Sequence, residues 1–170
     1  MSTSIVDEFY DRYTQLLRKL ESDEEPSLQV WANDKFSRTL VLVIANYLET
    51  EVKETLRSLI QNNSNSELVV NFLERSMERR YHEYFAWEEN NANRFFSLFG
   101  ETFKLKASED VKSDDDLTKG VRAFLEVGRT RNDLIHKQLL SITLQKTADE
   151  FYELYKQAVM FTKYLQSRLK

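Results

Sequence analysis

Arg131, Asn132 and His136 place a fixed cation, an amide and one of the chain's two histidines within six residues of one another. An arginine is a permanent, bidentate ligand for phosphate, and histidine is the side chain whose unperturbed pKa suits proton transfer near neutral pH. Together they can handle a phosphodiester with no metal ion. The reaction that fits is cleavage of RNA by its own 2′-hydroxyl: His136 moves a proton while Arg131 neutralises the charge that grows on the phosphate. The products would be a 2′,3′-cyclic phosphate and a free 5′-hydroxyl. The plainer alternative pairs Arg131 with a nearby carboxylate and leaves His136 as a polar residue at a helix edge. Geometry adds a constraint, because residues five apart on a regular helix point about 140° away from each other. Either the helix is distorted there, or a symmetric dimer sets the Arg131 and His136 pair of one copy against the same pair of the other. We therefore expect a homodimer.

The elements that carry these residues read as helices. Three glycines and one proline in 170 residues leave few tight turns, and Leu, Glu, Lys, Arg and Gln dominate. The expected fold is all-α, an up-and-down bundle of about five to six helices forming one domain over residues 1–170. Ser4 and Asp7 open a first helix with Ile5, Phe9, Tyr13, Leu16, Leu17 and Leu20 at helical spacing, ending near Ser22. Asp23 to Pro26 reads as a breaker, Trp31 as a residue packed inward, and a long helix follows from about Asp34 to Gln61. A third runs from Leu68 to about Trp87, and Arg94 to Phe99 make a short aromatic helix closed by a left-handed cap at Gly100. Residues 101–116 show only a weak pattern. A helix from about Asp114–Asp116 runs through the motif to Leu139, with Gly128 inside it marking a kink or a close approach. Thr147 and Glu150 form a capping box for the last helix.

Composition limits the remaining classes. With no cysteine there are no disulfides, no thiolate chemistry and no cysteine-bound zinc, so the cytoplasm is the default compartment. No N-terminal basic-then-apolar segment and no membrane-length apolar run occur, so a soluble, unprocessed protein is expected. A net charge of −4 argues against bulk attraction to nucleic acid or membrane. Any polyanion site must be local, and Lys119 to Lys137 is locally positive through Lys119, Arg122, Arg129, Arg131 and Lys137. Arg129 and Lys137 are expected as secondary phosphate contacts.

The Arg131-Asn132-x-x-x-His136 pattern, late in a helical chain of this length, resembles the signature of the HEPN superfamily of ribonucleases and nucleotide-binding domains. Ala45 to Lys53 resembles an early family helix with an apolar-x-x-Glu pattern, and Asn93 to Gly100 resembles the middle segment of the RiboL-PSP-HEPN subgroup. The resemblance implies a dimeric helical bundle with metal-independent endoribonuclease activity in toxin–antitoxin, phage-defence or stress systems. It also implies that Arg131 and His136 form the catalytic pair, that Asn132 shapes the site, and that Glu49 orients the arginine. Toxins of the group partnered by nucleotidyltransferase antitoxins often carry a modifiable tyrosine two residues after the histidine. Here that position is Gln138, which departs from that subgroup.

Other candidates read as structural. His82, on the arginine-rich third helix, is expected to be an exposed or packing residue rather than a ligand. Two histidines do not make a metal site, and Asp114 to Asp116 suit helix capping or solvation. No metal and no cofactor are expected. Phe95, Phe96 and Phe99 are expected in the core rather than stacked on bases, and Arg75, Arg79 and Arg80 lie among glutamates on a solvated face. The partners expected are RNA, a second copy of the chain and an antitoxin or defence-system protein, with no membrane. The competing function is a non-catalytic helical module that uses the same dimer groove to hold a nucleotide, RNA or protein partner.

Overall fold

The computed structural model describes residues 4–136 and 143–170, and every regular element among them is helical. Seven α-helices follow one another: α1 (Ile5–Ser22), α2 (Pro26–Asn63), α3 (Glu67–Arg80), α4 (Asn93–Ser97), α5 (Glu101–Ser113), α6 (Asp115–His136) and α7 (Ala148–Arg168), with a 3-10 turn at Tyr81–Glu83. Lys137, Gln138, Leu139 and the side chain of Arg79 lie outside the described residues.

Local chemistry explains most of the boundaries. At α1 the Ser4 hydroxyl accepts from the Asp7 N–H at 3.1 Å while the Asp7 carboxylate accepts from the Ser4 N–H at 3.0 Å. Thr147 and Glu150 build the same reciprocal cap on α7, satisfying amide donors that a helix start leaves free. The acidic run before α6 acts as a cap: the Asp114 carboxylate accepts from the Asp116 and Leu117 N–H groups at 2.9 and 3.0 Å.

Four boundaries differ from the sequence expectation. α2 begins at Pro26 rather than near Asp34, because a proline in the first turn lacks only an N–H that would have had no partner there. Trp31 is consequently on an outer face, 62% exposed, and not packed inward. α3 stops at Arg80, short of Trp87, and the chain turns through Tyr81–Glu83. α5 is a full helix where the pattern looked weak: Ala107 is its one buried residue and Leu105 is 63% exposed, so little apolar periodicity was needed. Gly100 has a positive φ of 92° but an extended ψ of 163°, serving as the N-cap of α5 rather than a left-handed C-cap.

α6 packs along α7 and α2, and α2 also meets α1 and α3. Their common core holds Leu40, Ile44 and Leu48 of α2, Leu117, Phe124 and Leu125 of α6, and Phe151, Phe161 and Leu165 of α7. Phe95 and Phe96 of α4 are also fully buried, which withdraws them from base stacking. The first and last helices are joined by tyrosines. Tyr10 stacks on Tyr152 with ring centroids 3.9 Å apart, Tyr10 donates to Asp149 at 2.7 Å, and Tyr152 donates to Asp7 at 2.8 Å.

Gly128 is where α6 meets the Trp87 ring. A Cβ built on Gly128 would overlap the indole carbons of Trp87, so the close approach expected from the sequence is filled by an aromatic side chain. On an unobstructed helix, replacing glycine by alanine would gain about 1 kcal/mol. Here overpacking should reverse the sign: Gly128→Ala is expected to destabilise by about 1–3 kcal/mol, read as a lower Tm in thermal melts.

A second expectation concerns acid. Burial alone would raise the Asp7 carboxyl, but the Ser4 N–H and the Tyr152 hydroxyl outweigh it and hold its pKa below the ordinary 3.8. Hydrogen bonds from Arg38 and Lys35 bring Asp34 down to about 2. A carboxyl depressed by folding contributes stability above its unfolded pKa, and that contribution is lost as pH falls through the folded value. Thermal melts should therefore show Tm dropping below about pH 4, with a shallower drop in Asp7→Asn, whose Tm is already lower at pH 7.

Candidate active site around Arg131

A narrow cleft opens between α2, α6 and the turn that follows α3. Ala45, Leu48 and Glu49 of α2 line one wall, Phe124, Val127, Gly128, Arg131 and Asn132 of α6 another, and Tyr81, His82 and Trp87 the third. The spacing is helical on both helices: Ala45, Leu48 and Glu49 sit at i, i+3 and i+4, and Phe124, Gly128 and Arg131 at i, i+4 and i+7. The apolar stripe that buries α6 is thus continuous with the position that carries the arginine.

Trp87 assembles the third wall. Its indole N–H donates to the His82 carbonyl at 2.8 Å, closing the 82–87 segment on itself. Its ring packs between Phe85, at 5.1 Å between centroids, and Phe124, at 6.0 Å. The Trp87 carbonyl accepts from Arg129 Nε at 3.0 Å.

Arg131 is half-buried in this cleft, and one of its terminal nitrogens donates to the Asn132 side-chain oxygen at 3.2 Å. Among the described residues, no carboxylate forms an ion pair with its guanidinium. Glu49 shares the cleft but pairs with Lys53 at 2.6 Å, one helical turn along α2. Arg131 is the cation that lines the cleft itself. Tyr81 feels both groups: burial first, and then Glu49, pushes its hydroxyl well above 10, against the opposing pull of Arg131.

The other sequence candidates separate. Arg129 is two residues from Arg131, hence about 160° around α6, and it holds the backbone of Trp87 and approaches Glu88 at 3.5 Å instead of entering the cleft. His136 ends α6 and is exposed. α6 is continuous through the motif, and on a regular helix five residues turn Arg131 and His136 about 140° apart around its axis. Asp114 to Asp116 lie at the opposite end of α6.

His82 is the residue whose place was misread. It lies not on α3 but in the 3-10 turn, exposed at the cleft rim and lining the same cleft as Arg131. Partial burial of its imidazole, and then the Arg131 charge, lower its pKa from 6.5. Glu49 opposes this, while Lys53 and His136 add to it. The apolar spacing from Leu68 to Trp87 continues a helical pattern across it, whereas α3 ends at Arg80. The aromatic run from Tyr81 to Trp87, too dense for one helical stripe, was the available signal.

The two arginines predict opposite outcomes. Arg129→Ala should lower stability by about 1 kcal/mol through the lost hydrogen bond to Trp87. Arg131→Ala, which breaks no ion pair among the described residues, should change stability by less than about 0.5 kcal/mol. Urea denaturation of the two variants beside the wild type measures both.

Comparison with curated proteins and with solved structures gave no match. The RiboL-PSP-HEPN family model matches residues 7–170, which takes in α6, the arginine cleft and nearly all of the chain around them, and on that match the chain belongs to the RiboL-PSP-HEPN family.

Proposed function

We propose that this protein is a metal-independent endoribonuclease that cleaves RNA through attack of the 2′-hydroxyl, leaving 2′,3′-cyclic phosphate and 5′-hydroxyl ends. The observation that carries the reading is Arg131: a guanidinium facing a cleft, steadied by Asn132, with no carboxylate partner among the described residues. A bidentate cation held in this way suits a phosphate and the extra charge of a pentacoordinate transition state. His136 is the proton-transfer group, and Asn132 positions the guanidinium. Glu49 acts on Arg131 through the field of the cleft and through its pairing with Lys53, rather than by direct contact. Arg129 supports the site by holding Trp87.

The divergence of Arg131 and His136 on a regular helix favours a homodimer in which each site combines groups from two copies. Exposed apolar side chains favour self-association as well: Ile135, beside His136, is 49% exposed, and Leu68 and Phe72 of α3 are 83% and 70% exposed. Such an activity belongs in the cytoplasm, in a toxin–antitoxin, phage-defence or stress system, with an antitoxin or defence protein as its partner. Among the described residues no helix is long and apolar enough to cross a membrane.

The test is incubation of purified protein with mixed cellular RNA in excess EDTA, reading the chemistry of new ends. Wild type should make cyclic-phosphate ends, and His136→Ala and Arg131→Ala should each lose at least about 100-fold in rate. Mixing the two variants should restore up to about one quarter of wild-type activity, because half of the sites in a mixed dimer are intact. Equal cleavage by His136→Ala would overturn the assignment. RNA bound tightly without turnover would instead identify a non-catalytic binding module in the same groove.

A further inference from the structure

Transesterification by a 2′-hydroxyl needs two proton transfers. One proton leaves the 2′-oxygen as it attacks phosphorus, and another reaches the 5′-oxygen as the P–O5′ bond breaks. A fixed cation can do neither, and with one His136 in each site a single imidazole would have to serve both positions. The chain has two histidines, on elements far apart in sequence, the 3-10 turn Tyr81–Glu83 and the end of α6.

Resting on the ribonuclease reading, we propose that His82 is a second catalytic residue of the Arg131 site, the general base that takes the 2′-hydroxyl proton while His136 is the general acid that protonates the leaving 5′-oxygen. Three observations carry this. His82 lines the cleft together with Arg131 and Asn132. Its main chain is pinned by the Trp87 indole, its side chain is exposed toward solvent, and Tyr81 packs against the imidazole edge-on at 5.4 Å. It also lies within electrostatic reach of Arg131 of α6 and of Glu49 and Lys53 of α2, with Arg131 the strongest of these charges. Partial burial of the imidazole, and then Arg131, lower the pKa of His82 against the opposing pull of Glu49, which favours the neutral form that can accept a proton.

The step balances. The proton moves from O2′ to a ring nitrogen of His82, O2′ bonds to phosphorus, the P–O5′ bond breaks, and O5′ takes the proton carried by His136. The two histidines end with their protonation states exchanged, and exchange with water restores them. Arg131 holds the non-bridging oxygens throughout.

The deciding experiment compares wild type, His82→Ala and His136→Ala on RNA and on uridine 3′-(4-nitrophenyl phosphate), in EDTA and across pH. The aryl ester has a leaving group that departs without a proton, so an acid is dispensable and a base is not. His136→Ala should be inactive on RNA yet within about tenfold of wild type on the ester, whereas His82→Ala should lose about 100-fold or more on both. The sign of the pH effect follows from the base: wild-type activity rises as pH increases through the His82 pKa, and His82→Ala lacks that acidic limb. Because the side chain is exposed, His82→Ala should melt with the wild type. Wild-type cleavage with His82→Ala within about threefold and an unchanged acidic limb overturns the role of His82 alone. A wild type that cleaves neither substrate overturns the ribonuclease reading and this assignment with it.

Discussion

The contact on which the site depends is the indole of Trp87 lying against the bare backbone of α6 at Gly128. A helical glycine is costly in isolation, but here it admits a ring that would otherwise be held off by a side chain. From that contact follow the hydrogen bond to the His82 carbonyl, the anchoring of the Trp87 carbonyl by Arg129 and the third wall of the cleft. The irregular stretch after α3 is thereby fixed to α6, which itself packs along α7 and α2. Its position is set by packing in a core, which tolerates little displacement, rather than by loop hydrogen bonds alone.

Charge is distributed on the same principle of local control. The chain is acidic overall, with 28 Asp and Glu against 24 Lys and Arg, and many of its surface cations sit beside carboxylates one turn away, as Lys104 does with Glu101 and Lys119 with Asp116. Such pairs contribute little to stability, but they mute the field over the surface. In the cleft, Glu49 is engaged by Lys53 and leaves the Arg131 guanidinium to Asn132. An acidic chain thus keeps a guanidinium in a cleft with no carboxylate paired to it among the described residues.

The helical architecture was legible because it rests on local signals: the capping boxes at Ser4 and Thr147, and the apolar repeats of α1, α2, α6 and α7. The motif singles out Arg131 and Asn132, which line one cleft, and Gly128 stands out by its oddity inside a helix. What escaped depends on contacts remote in sequence. Pro26 suits a break between helices as well as a first helical turn, and nothing local says that α5 persists with one buried residue. His82 was hidden for the same reason. Its position is decided by Trp87 meeting Gly128, a pairing between residues that sequence periodicity treats separately, while Tyr81, Tyr84 and Phe85 sit at a spacing that mimics a continued helix. The different placements of Arg129 and Arg131 were in principle available, since a two-residue step on a helix nearly reverses direction.

The two tryptophans give the molecule an optical asymmetry. Trp31 stands out in solvent on α2, while Trp87 sits in the cleft wall among Tyr81, Phe85 and Phe124. With Trp31 replaced by phenylalanine, the remaining indole emission would come from the site itself, sensitised by the phenol of Tyr81 at 6.0 Å between ring centroids. Its nearest polar contact is the carbonyl of His82. Intrinsic fluorescence would then report occupancy of the cleft in real time and without a label.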